Sequence, residues 1–307
     1  MMETIVRPNR FSGIGATIGR FFGVEPKLED ESLEEKINNA LAHEWEKITP
    51  TREDNESLQR ITKDNNPIHI SSDAAKKLGL KDTPIMGIHT AGYAEQFMEK
   101  VIDNMRSYWG ADMKMTGLYT GFKGFVYPGD KILWQVTGYA SSGEVIKLKT
   151  EGRVGENVVT DVEAELGKEY KRMPQIAGPI SFRRYSIEEA HIAQFCKCVG
   201  VKYEKKIPKM LVSSFVPSTL LAIAEEKGMK IEGINLSMSY DFLGDAEPGS
   251  VQVDIFPSRR ARPRKMEDGG QAYIYKFKTV CSQDTKPLAY GEMVCLSRSE
   301  LNFSLTA

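Results

Sequence analysis

Cysteine is scarce in this sequence, and so are long apolar runs and any excess of one charge. The four cysteines are Cys196, Cys198, Cys281 and Cys295, and no Cys/His pair elsewhere completes the spacing of a zinc site. Scattered cysteines of this kind indicate reduced, buried side chains in a cytoplasmic protein. No apolar run reaches the length of about 18 residues that a membrane helix needs, so we expect no membrane-spanning helix.

The charge balance disfavours two further classes of partner. Forty-one basic and 42 acidic residues give a formal net charge of −1, so no overall field draws the chain toward nucleic acid or an anionic membrane surface. The apolar fraction of 41% and the charged fraction of 27% are those of an ordinary globular protein. A chain of 307 residues has room for two domains, each with its own core.

One pattern of helix and strand signals occurs twice. An apolar helix candidate follows Pro84 in the first half and Pro208 in the second, 124 residues later. A Pro-Gly turn at 127–130 precedes an alternating strand, and a second such turn lies 120 residues on, at 247–250. Further strands follow consecutively in each half without helices between them, which favours an α+β fold over a doubly wound parallel sheet.

The repeat predicts the domain organisation. We expect an N-terminal extension at 1–40, where glycines interrupt the apolar stretch that a secretory signal requires. The first domain then spans 41–167, a linker rich in Lys, Arg, Pro and Gly spans 168–178, and the second domain spans 179–307. Each unit has a sheet around one long helix and leaves a sheet edge unpaired, so we expect the two units to pair edge to edge as a pseudo-dimer.

Asp64 and His69 form the clearest chemical constellation. They flank Pro67 in the segment Asp64-Asn65-Asn66-Pro67-Ile68-His69, and Pro67 prevents a continuous helix there. A carboxylate and an imidazole on one rigid loop suit proton transfer near neutral pH. Asp-Asn-Asn-Pro is also ordinary turn chemistry, so the local pattern leaves a purely structural interpretation open.

Asp64-x-Asn66-Pro67-Ile68-His69 resembles the motif of the MaoC-like, or (R)-specific enoyl-CoA hydratase, family of hot-dog folds. Two further features are similar to that family: Gly87 at the start of the first central helix, and the segment 122–130 with its Pro-Gly-Asp turn. Lys63 stands where the family usually has Gly before the Asp, and Met86 stands where it usually has His before the helix Gly.

The resemblance implies a fold, an activity and site residues. The fold would be α+β, with two tandem hot-dog units, each an antiparallel sheet wrapped around a long central helix. The activity would be hydration of trans-2-enoyl thioesters and the reverse dehydration. Asp64 and His69 would hold the water, Asn66 would fix their loop, and the Gly87 amide would bind the thioester carbonyl. No metal or cofactor would be needed, since coenzyme A or acyl carrier protein carries the substrate.

The second half lacks these groups in our alignment of the repeat. Val201 falls opposite Asp64, Lys206 opposite His69, and Leu211 opposite Gly87. We therefore expect one active site for each chain, with the second unit completing the sheet and forming a wall of the acyl tunnel. His89, close to Gly87 in sequence, is expected to pack within its helix.

Five cations occur in the run 258–265, among them Arg259, Arg260 and Arg262. A solvated hairpin loop is the plain interpretation. The alternative is contact with the phosphates of coenzyme A or with an acidic acyl carrier protein. The run has no interleaved aromatic residues, which disfavours nucleic acid.

Two other functions remain open on the sequence. A thioesterase is one, because hot-dog folds also host acyl hydrolysis, although the Asp-x-Asn-Pro-x-His arrangement disfavours it. A binder of acyl thioesters without catalytic activity is the other. The acyl chain length, the direction of the reaction, the identity of the carrier and the formation of a homodimer are not determined by the sequence.

Overall fold

The fold is described from a computed structural model, which covers residues 37, 39, 41, 45–142, 144–176, 178–201, 207–229, 233–256, 262–266, 269–298 and 301. The predicted N-terminal extension therefore lies almost entirely outside the described residues. Between residue 45 and the linker, the described residues form β1 (Trp45–Ile48), α1 (Arg52–Thr62), α2 (Ser72–Lys77), α3 (Gly87–Trp109), β2 (Lys114–Phe122), β3 (Ile132–Ser142), β4 (Val145–Val154) and β5 (Asn157–Gly167).

Further strands and helices follow the linker in the part of the second half that the structure describes. They are β6 (Ser181–Ile187), α4 (Glu189–Cys198), α5 (Lys209–Ser213), α6 (Phe215–Glu226), β7 (Gly233–Phe242), β8 (Gly249–Phe256), β9 (Arg262–Lys265), β10 (Gln271–Gln283) and β11 (Lys286–Ser297). The strands show the alternation that predicted them. In β4, for example, Ile146 and Leu148 are buried against the core while Lys147 and Lys149 face solvent.

All strands formed by the described residues belong to one antiparallel sheet. Its order is β1-β3-β4-β5-β2-β7-β11-β10-β8-β6, and β9 pairs with β10 beside this path. From either edge toward the middle, the two halves have the same order of strands. The halves meet where β2 pairs with β7, in a register that runs from Gly117 opposite Asp241 to Gly121 opposite Ser237. The predicted edge-to-edge pseudo-dimer is therefore confirmed.

The segment after β5 crosses this junction on the outer face of the sheet. The Lys171 ammonium lies 3.0 Å from a Glu165 carboxylate oxygen of the first unit and 2.6 Å from an Asp241 oxygen of the second. The Lys171 N–H also donates to the Phe242 carbonyl at 3.3 Å. The connection between the units thus contacts both of them.

The first central helix is long and mostly buried. Helix α3 has 23 residues and ends at Gly110, whose positive φ of 100° closes it. Apolar side chains such as Phe97, Met98 and Ile102 are almost fully buried beneath the sheet. The helix therefore forms the centre of the first unit, as the sequence predicts.

The second central helix is not continuous, which corrects the prediction of one long helix in each unit. It consists of α5 and α6, with the break at Ser214. The Ser214 N–H donates to the Leu211 carbonyl, a tighter turn than that of an α-helix. Pro217 explains the break, because it has no N–H for the Ser213 carbonyl four residues before it, and its ring would clash with that carbonyl.

Three further predictions concern cysteine, membrane helices and the basic run. The four cysteines are free and buried, as expected. No helix among the described residues is long and apolar enough to cross a membrane. The basic run is not wholly a loop, because Arg262–Lys265 form β9 and pair with β10. Arg259 and Arg260 lie outside the described residues, as does the side chain of Arg262.

Candidate active site

The loop that carries Asp64 and His69 begins where α1 ends, at Lys63. This residue caps the helix in the left-handed conformation, with φ 59° and ψ 26°, and its N–H donates to the Gln59 carbonyl at 2.8 Å. A left-handed C-cap is the position that most favours glycine, which gives a physical reason for a Gly before the Asp in the family motif. The Lys63 side chain is exposed. The departure therefore costs some backbone strain and leaves the interior of the site unchanged.

Asp64 and Asn66 fix the shape of this loop. Asp64 is buried, and its Oδ1 accepts the Asn66 N–H at 3.0 Å. The Asn66 Oδ1 accepts the Ile68 N–H at 3.3 Å and so caps the short 3-10 turn Pro67–His69. The Asn66 Nδ2 donates to the Gly233 carbonyl of β7 at 3.2 Å. One side chain thereby ties the loop to the second unit.

The His69 ring is oriented by a backbone carbonyl. Its Nδ1 lies 2.9 Å from the Pro84 carbonyl oxygen. A carbonyl can only accept, so in the neutral ring Nδ1 carries the proton and Nε2 keeps its lone pair. The Pro84 segment is itself tied to α1, because the Arg52 guanidinium donates to the Thr83 hydroxyl at 3.0 Å. Nε2 of His69 can therefore act as a base.

Gly87 is the first residue of α3, and a side chain there would crowd Phe122. A Cβ built on Gly87 would come within 3.1 Å of the Phe122 ring. The N–H groups of a first helical turn have no partner inside the helix and lie at its positive end. Met86 is fully buried, and its N–H donates to Asn55 Oδ1 at 2.9 Å. The helix start is thus held by Asn55, while Gly87 itself is half-buried.

These residues line one cleft of about 280 Å³ between the two units. Asp64, Asn66, His69 and Gly87 all contribute to its lining, so the structure brings the four predicted site residues together. The remainder of the wall is largely apolar. The first unit supplies Ile68, Ile85, Ile88, Phe122, Phe125 and Val126, and the second supplies Pro217, Leu220, Leu221, Ile234, Leu236, Met293 and Cys295.

His89 is not part of the cleft lining. It is fully buried and stacks on Tyr93 with ring centroids 4.7 Å apart, and its Nε2–H donates to the Cys198 carbonyl at 2.9 Å. Burial lowers the pKa of His89 to about 4, so the ring is neutral at pH 7. The expectation that His89 packs within its helix is met.

The second unit has a counterpart of the cleft that is almost closed. Ile207, Phe242, Gly244 and Ala246 surround about 10 Å³ there, and they correspond to Ile85, Phe122, Gly124 and Val126 of the open cleft. The central helix begins at Lys209. The alignment of Leu211 with Gly87 is therefore wrong by two residues, because the chain from Pro84 to its helix is two residues longer than the chain from Pro208.

Lys209 and Glu95 occupy this second helix start. The Lys209 side chain is buried, and its ammonium lies 2.9 Å from the Tyr170 hydroxyl and 3.0 Å from Asp245 Oδ1. The two carboxylate oxygens of Glu95, from α3, accept the N–H groups of Lys209 and Met210 at 2.6 and 3.0 Å. An internal carboxylate thus takes the amides that would otherwise face a ligand. Desolvation raises the pKa of Glu95 to about 7.

Three contributors to the open cleft were not predicted as site residues. They are Asn55, which holds the helix start, Pro84, whose carbonyl orients His69, and Phe122, which packs over Gly87. Pro84 and Phe122 belong to segments that carry the family resemblance, and this resemblance is the signal from which their place at the cleft could have been predicted. Asn55 gave none, because an Asn inside a polar helix looks like a surface residue.

Comparisons with known proteins agree with this architecture. Residues 33–162 match the sequence model of the MaoC-like domain. A comparison with curated proteins gives no match. Among solved structures, a MaoC domain protein from Chloroflexus aurantiacus J-10-fl has a TM-score of 0.59 at 12% identity, covering 83% of this chain and 94% of that one.

Two more solved structures are similar over most of their length. Rv0216 from Mycobacterium tuberculosis, which has a double hotdog fold, has a TM-score of 0.55 at 11% identity over 82% of this chain and 93% of its own. A MaoC-like dehydratase from Phytophthora capsici has a TM-score of 0.53 at 12% identity over 83% and 96%. Residues 33–162 are therefore similar to the MaoC-like domain, and the overall architecture of the chain is a double hot-dog.

Proposed function

We propose that this protein is a hydro-lyase that adds water to trans-2-enoyl thioesters, with (R) stereochemistry at the β-carbon, and catalyses the reverse dehydration of 3-hydroxyacyl thioesters. The observation that carries the proposal is the convergence of Asp64, His69 and the Gly87 helix start on one apolar cleft. A carboxylate and an imidazole can handle a water, and a helix-start amide can stabilise an enolate. The MaoC-like domain match supports the same class of reaction.

In the proposed hydration, the thioester carbonyl accepts a hydrogen bond from the Gly87 N–H. Asp64 and His69 hold one water beside the β-carbon. The water oxygen attacks that carbon while Nε2 of His69 takes a proton from it, and the thioester becomes an enolate. The imidazolium then returns the proton to the α-carbon. The net change is addition of one water, and both side chains regain their initial state.

The acyl chain would run along the wall that the second unit provides. Pro217 breaks the second central helix, and Leu220 and Leu221 of α6 line the cleft on that side. Their spacing places them on the same helix face as Pro217. The second unit would thus bind the substrate without catalysing its conversion, since Lys209 and Glu95 fill its own helix start.

A spectroscopic assay tests the proposal directly. The purified protein is given trans-2-enoyl-coenzyme A of several chain lengths, and both the absorbance of the conjugated thioester and the release of free thiol are followed. We expect the absorbance to fall without thiol release. Release of thiol would indicate a thioesterase instead. Binding without any turnover at every chain length would indicate an acyl-thioester-binding protein and contradict the proposal.

The carrier is a separate part of the proposal. Arg259, Arg260 and Arg262 are proposed to contact the phosphates of coenzyme A or an acidic acyl carrier protein, on the ground of their clustered charge. Replacement of all three by Gln should raise KM for the coenzyme A thioester and leave KM for a short alkyl thioester unchanged. This role is contradicted if the variant has the same KM as the unmodified protein for the coenzyme A thioester as well as for the short alkyl thioester.

A further inference from the structure

Asn235 is a polar residue in the apolar wall that the second unit contributes to the cleft. It lies on β7, two residues after Gly233, whose carbonyl accepts the Asn66 amide of the loop 64–69. Its neighbours in this wall include Leu220, Met293 and Cys295, all of them buried. A polar side chain among such neighbours calls for a specific reason, because its desolvation is unfavourable unless it is hydrogen-bonded.

A β-bulge turns Asn235 toward the inside of the sheet. In the β7–β11 ladder, Met238 pairs with Met293 and Ser237 with Val294, but Cys295 then pairs with Asn235. Leu236 is the additional residue, and the register shifts by one position there. Without this shift Asn235 would lie on the outer face. Bulges re-aim side chains in this way and are frequent beside active sites.

The first unit contains the same bulge with an apolar residue in place of Asn235. In the β2–β5 ladder, Leu118 pairs with Ala164 and Met115 with Leu166, and Thr116 is the additional residue. Met115 thus corresponds to Asn235, and both Met115 and its partner Leu166 are fully buried. The bulge does not itself need an amide. The polar group at Asn235 is therefore specific to the copy of the bulge that lines the open cleft.

The Asn235 amide has unused hydrogen-bonding capacity. Its Oδ1 is shielded from water and has no hydrogen-bond partner within the part of the chain that the structure describes. A half-turn of the terminal amide exchanges its oxygen and nitrogen. Because Oδ1 is shielded in this rotamer, the side chain must rotate for that oxygen to meet a molecule in the cleft, and such a rotation lets the amide present either an acceptor or a donor there.

We infer that Asn235 is a specificity-determining residue that hydrogen-bonds a polar group of the bound thioester. The inference rests on the proposed function. A substrate that passes this wall as a plain hydrocarbon leaves the amide unpaired, whereas a substrate with a hydroxyl or an amide at this position satisfies it. Two sources supply such a group: an oxygen substituent on the acyl chain, and an amide of the pantetheine arm of the carrier.

Calorimetric binding of saturated, unreactive thioesters tests the inference without depending on turnover. The protein is compared with Asn235→Leu, which keeps the size of the side chain, and with Asn235→Met, which the first unit shows to be compatible with the bulge. For a thioester that carries the recognised group, both variants should raise Kd about threefold to tenfold. For the matched thioester without that group, Kd should be unchanged or lower.

Two pairs of ligands separate the sources. The first pair is an acyl-coenzyme A and the thioester of the same acyl group with butanethiol. A difference between their Kd changes in the variants tests the pantetheine amides. The second pair is an acyl-coenzyme A that carries a hydroxyl beyond C3 and the same acyl-coenzyme A without that hydroxyl. A difference between their Kd changes in the variants tests the acyl chain. Ser237→Ala, on the same strand, is the control and should leave each Kd unchanged.

The inference is overturned if Asn235→Leu and Asn235→Met bind all four ligands within twofold of the unmodified protein. It is also overturned if Ser237→Ala has the same effect as they do. Failure of the proposed function has a different signature, since binding would then be intact while hydration is absent. If no thioester binds to the unmodified protein, both proposals are wrong.

Discussion

Lys209 begins the central helix of the second unit at the position that Gly87 holds in the first. In the first unit the absence of a side chain leaves the helix start open to a cleft of about 280 Å³. In the second unit the Lys209 ammonium lies 5.2 Å from the ring centroid of Phe242, the counterpart of Phe122, and the cleft is reduced to about 10 Å³. The residue type at the helix start thus distinguishes an accessible site from a filled one.

Gly87→Ala should lower kcat/KM about tenfold, because the contact with Phe122 is relieved by a shift of a few tenths of an ångström, and a misplacement of about 1 Å at a reacting centre has an effect of about 100-fold. The new Cβ would lie 3.1 Å from the Phe122 ring, so either the ring or the helix start must move. Steady-state hydration kinetics would measure the loss. Gly138→Ala is the matched control, since a Cβ there meets nothing within 4 Å. Equal kinetics for the two variants would show that the Gly87 position has no special role.

Asp64→Asn and His69→Gln should each reduce kcat by a factor of about 100 to 10,000, the usual contribution of an acid or base. Neither change alters the shape of the loop greatly, so binding of a saturated acyl thioester should persist. Turnover and calorimetric binding, measured on the same preparations, separate chemistry from affinity. Asp73→Asn, an exposed carboxylate close in sequence, should retain full turnover. Retention of turnover in Asp64→Asn would remove that carboxylate from the mechanism.

The sequence predicted the first site more accurately than the second unit. The loop 64–69 was predictable because its geometry is local: Pro67 blocks a helix, and Asn66 caps the turn that follows. The junction strands β2 and β7 were not identified from the sequence. Which of their residues face the interior depends on the pairing of two segments that are far apart in the chain, and alternation alone does not reveal it. The error of two residues at Lys209 has the same origin, because loop lengths before a helix vary between repeats without leaving a local signal.

Asn55→Ala should destabilise the protein by about 1–3 kcal/mol, because the buried Met86 N–H would lose its acceptor. Turnover should also fall, since Met86 immediately precedes Gly87 and its displacement moves the helix start. Urea unfolding and hydration kinetics give the two quantities. Asn65→Ala, an exposed position in the adjacent loop, serves as the control. A loss of turnover in Asn55→Ala without a loss of stability would contradict a role that acts through the helix start.

Glu95 should give the free energy of unfolding a pH dependence of definite sign. Burial raises the pKa of Glu95 from 4.5 to about 7 in the folded protein. Between these two values the unfolded chain has released the proton while the folded protein keeps it, so the unfolded state binds fewer protons. The contribution of Glu95 protonation to the free energy of unfolding is therefore fully present below about pH 4.5 and falls as the pH rises toward 7. Above that pH it no longer changes.

Glu95→Gln removes this titration, so its free energy of unfolding should rise relative to that of the unmodified protein between pH 5 and 7.5, by about 2 kcal/mol. At pH 5 the variant should be the less stable of the two, because a Gln side chain has one oxygen for the two N–H groups of Lys209 and Met210. Urea unfolding at several pH values measures the difference. Glu156→Gln, an exposed carboxylate, should give a curve parallel to that of the unmodified protein. A parallel curve for Glu95→Gln as well would mean that the folded protein binds the Glu95 proton no more tightly than the unfolded chain does.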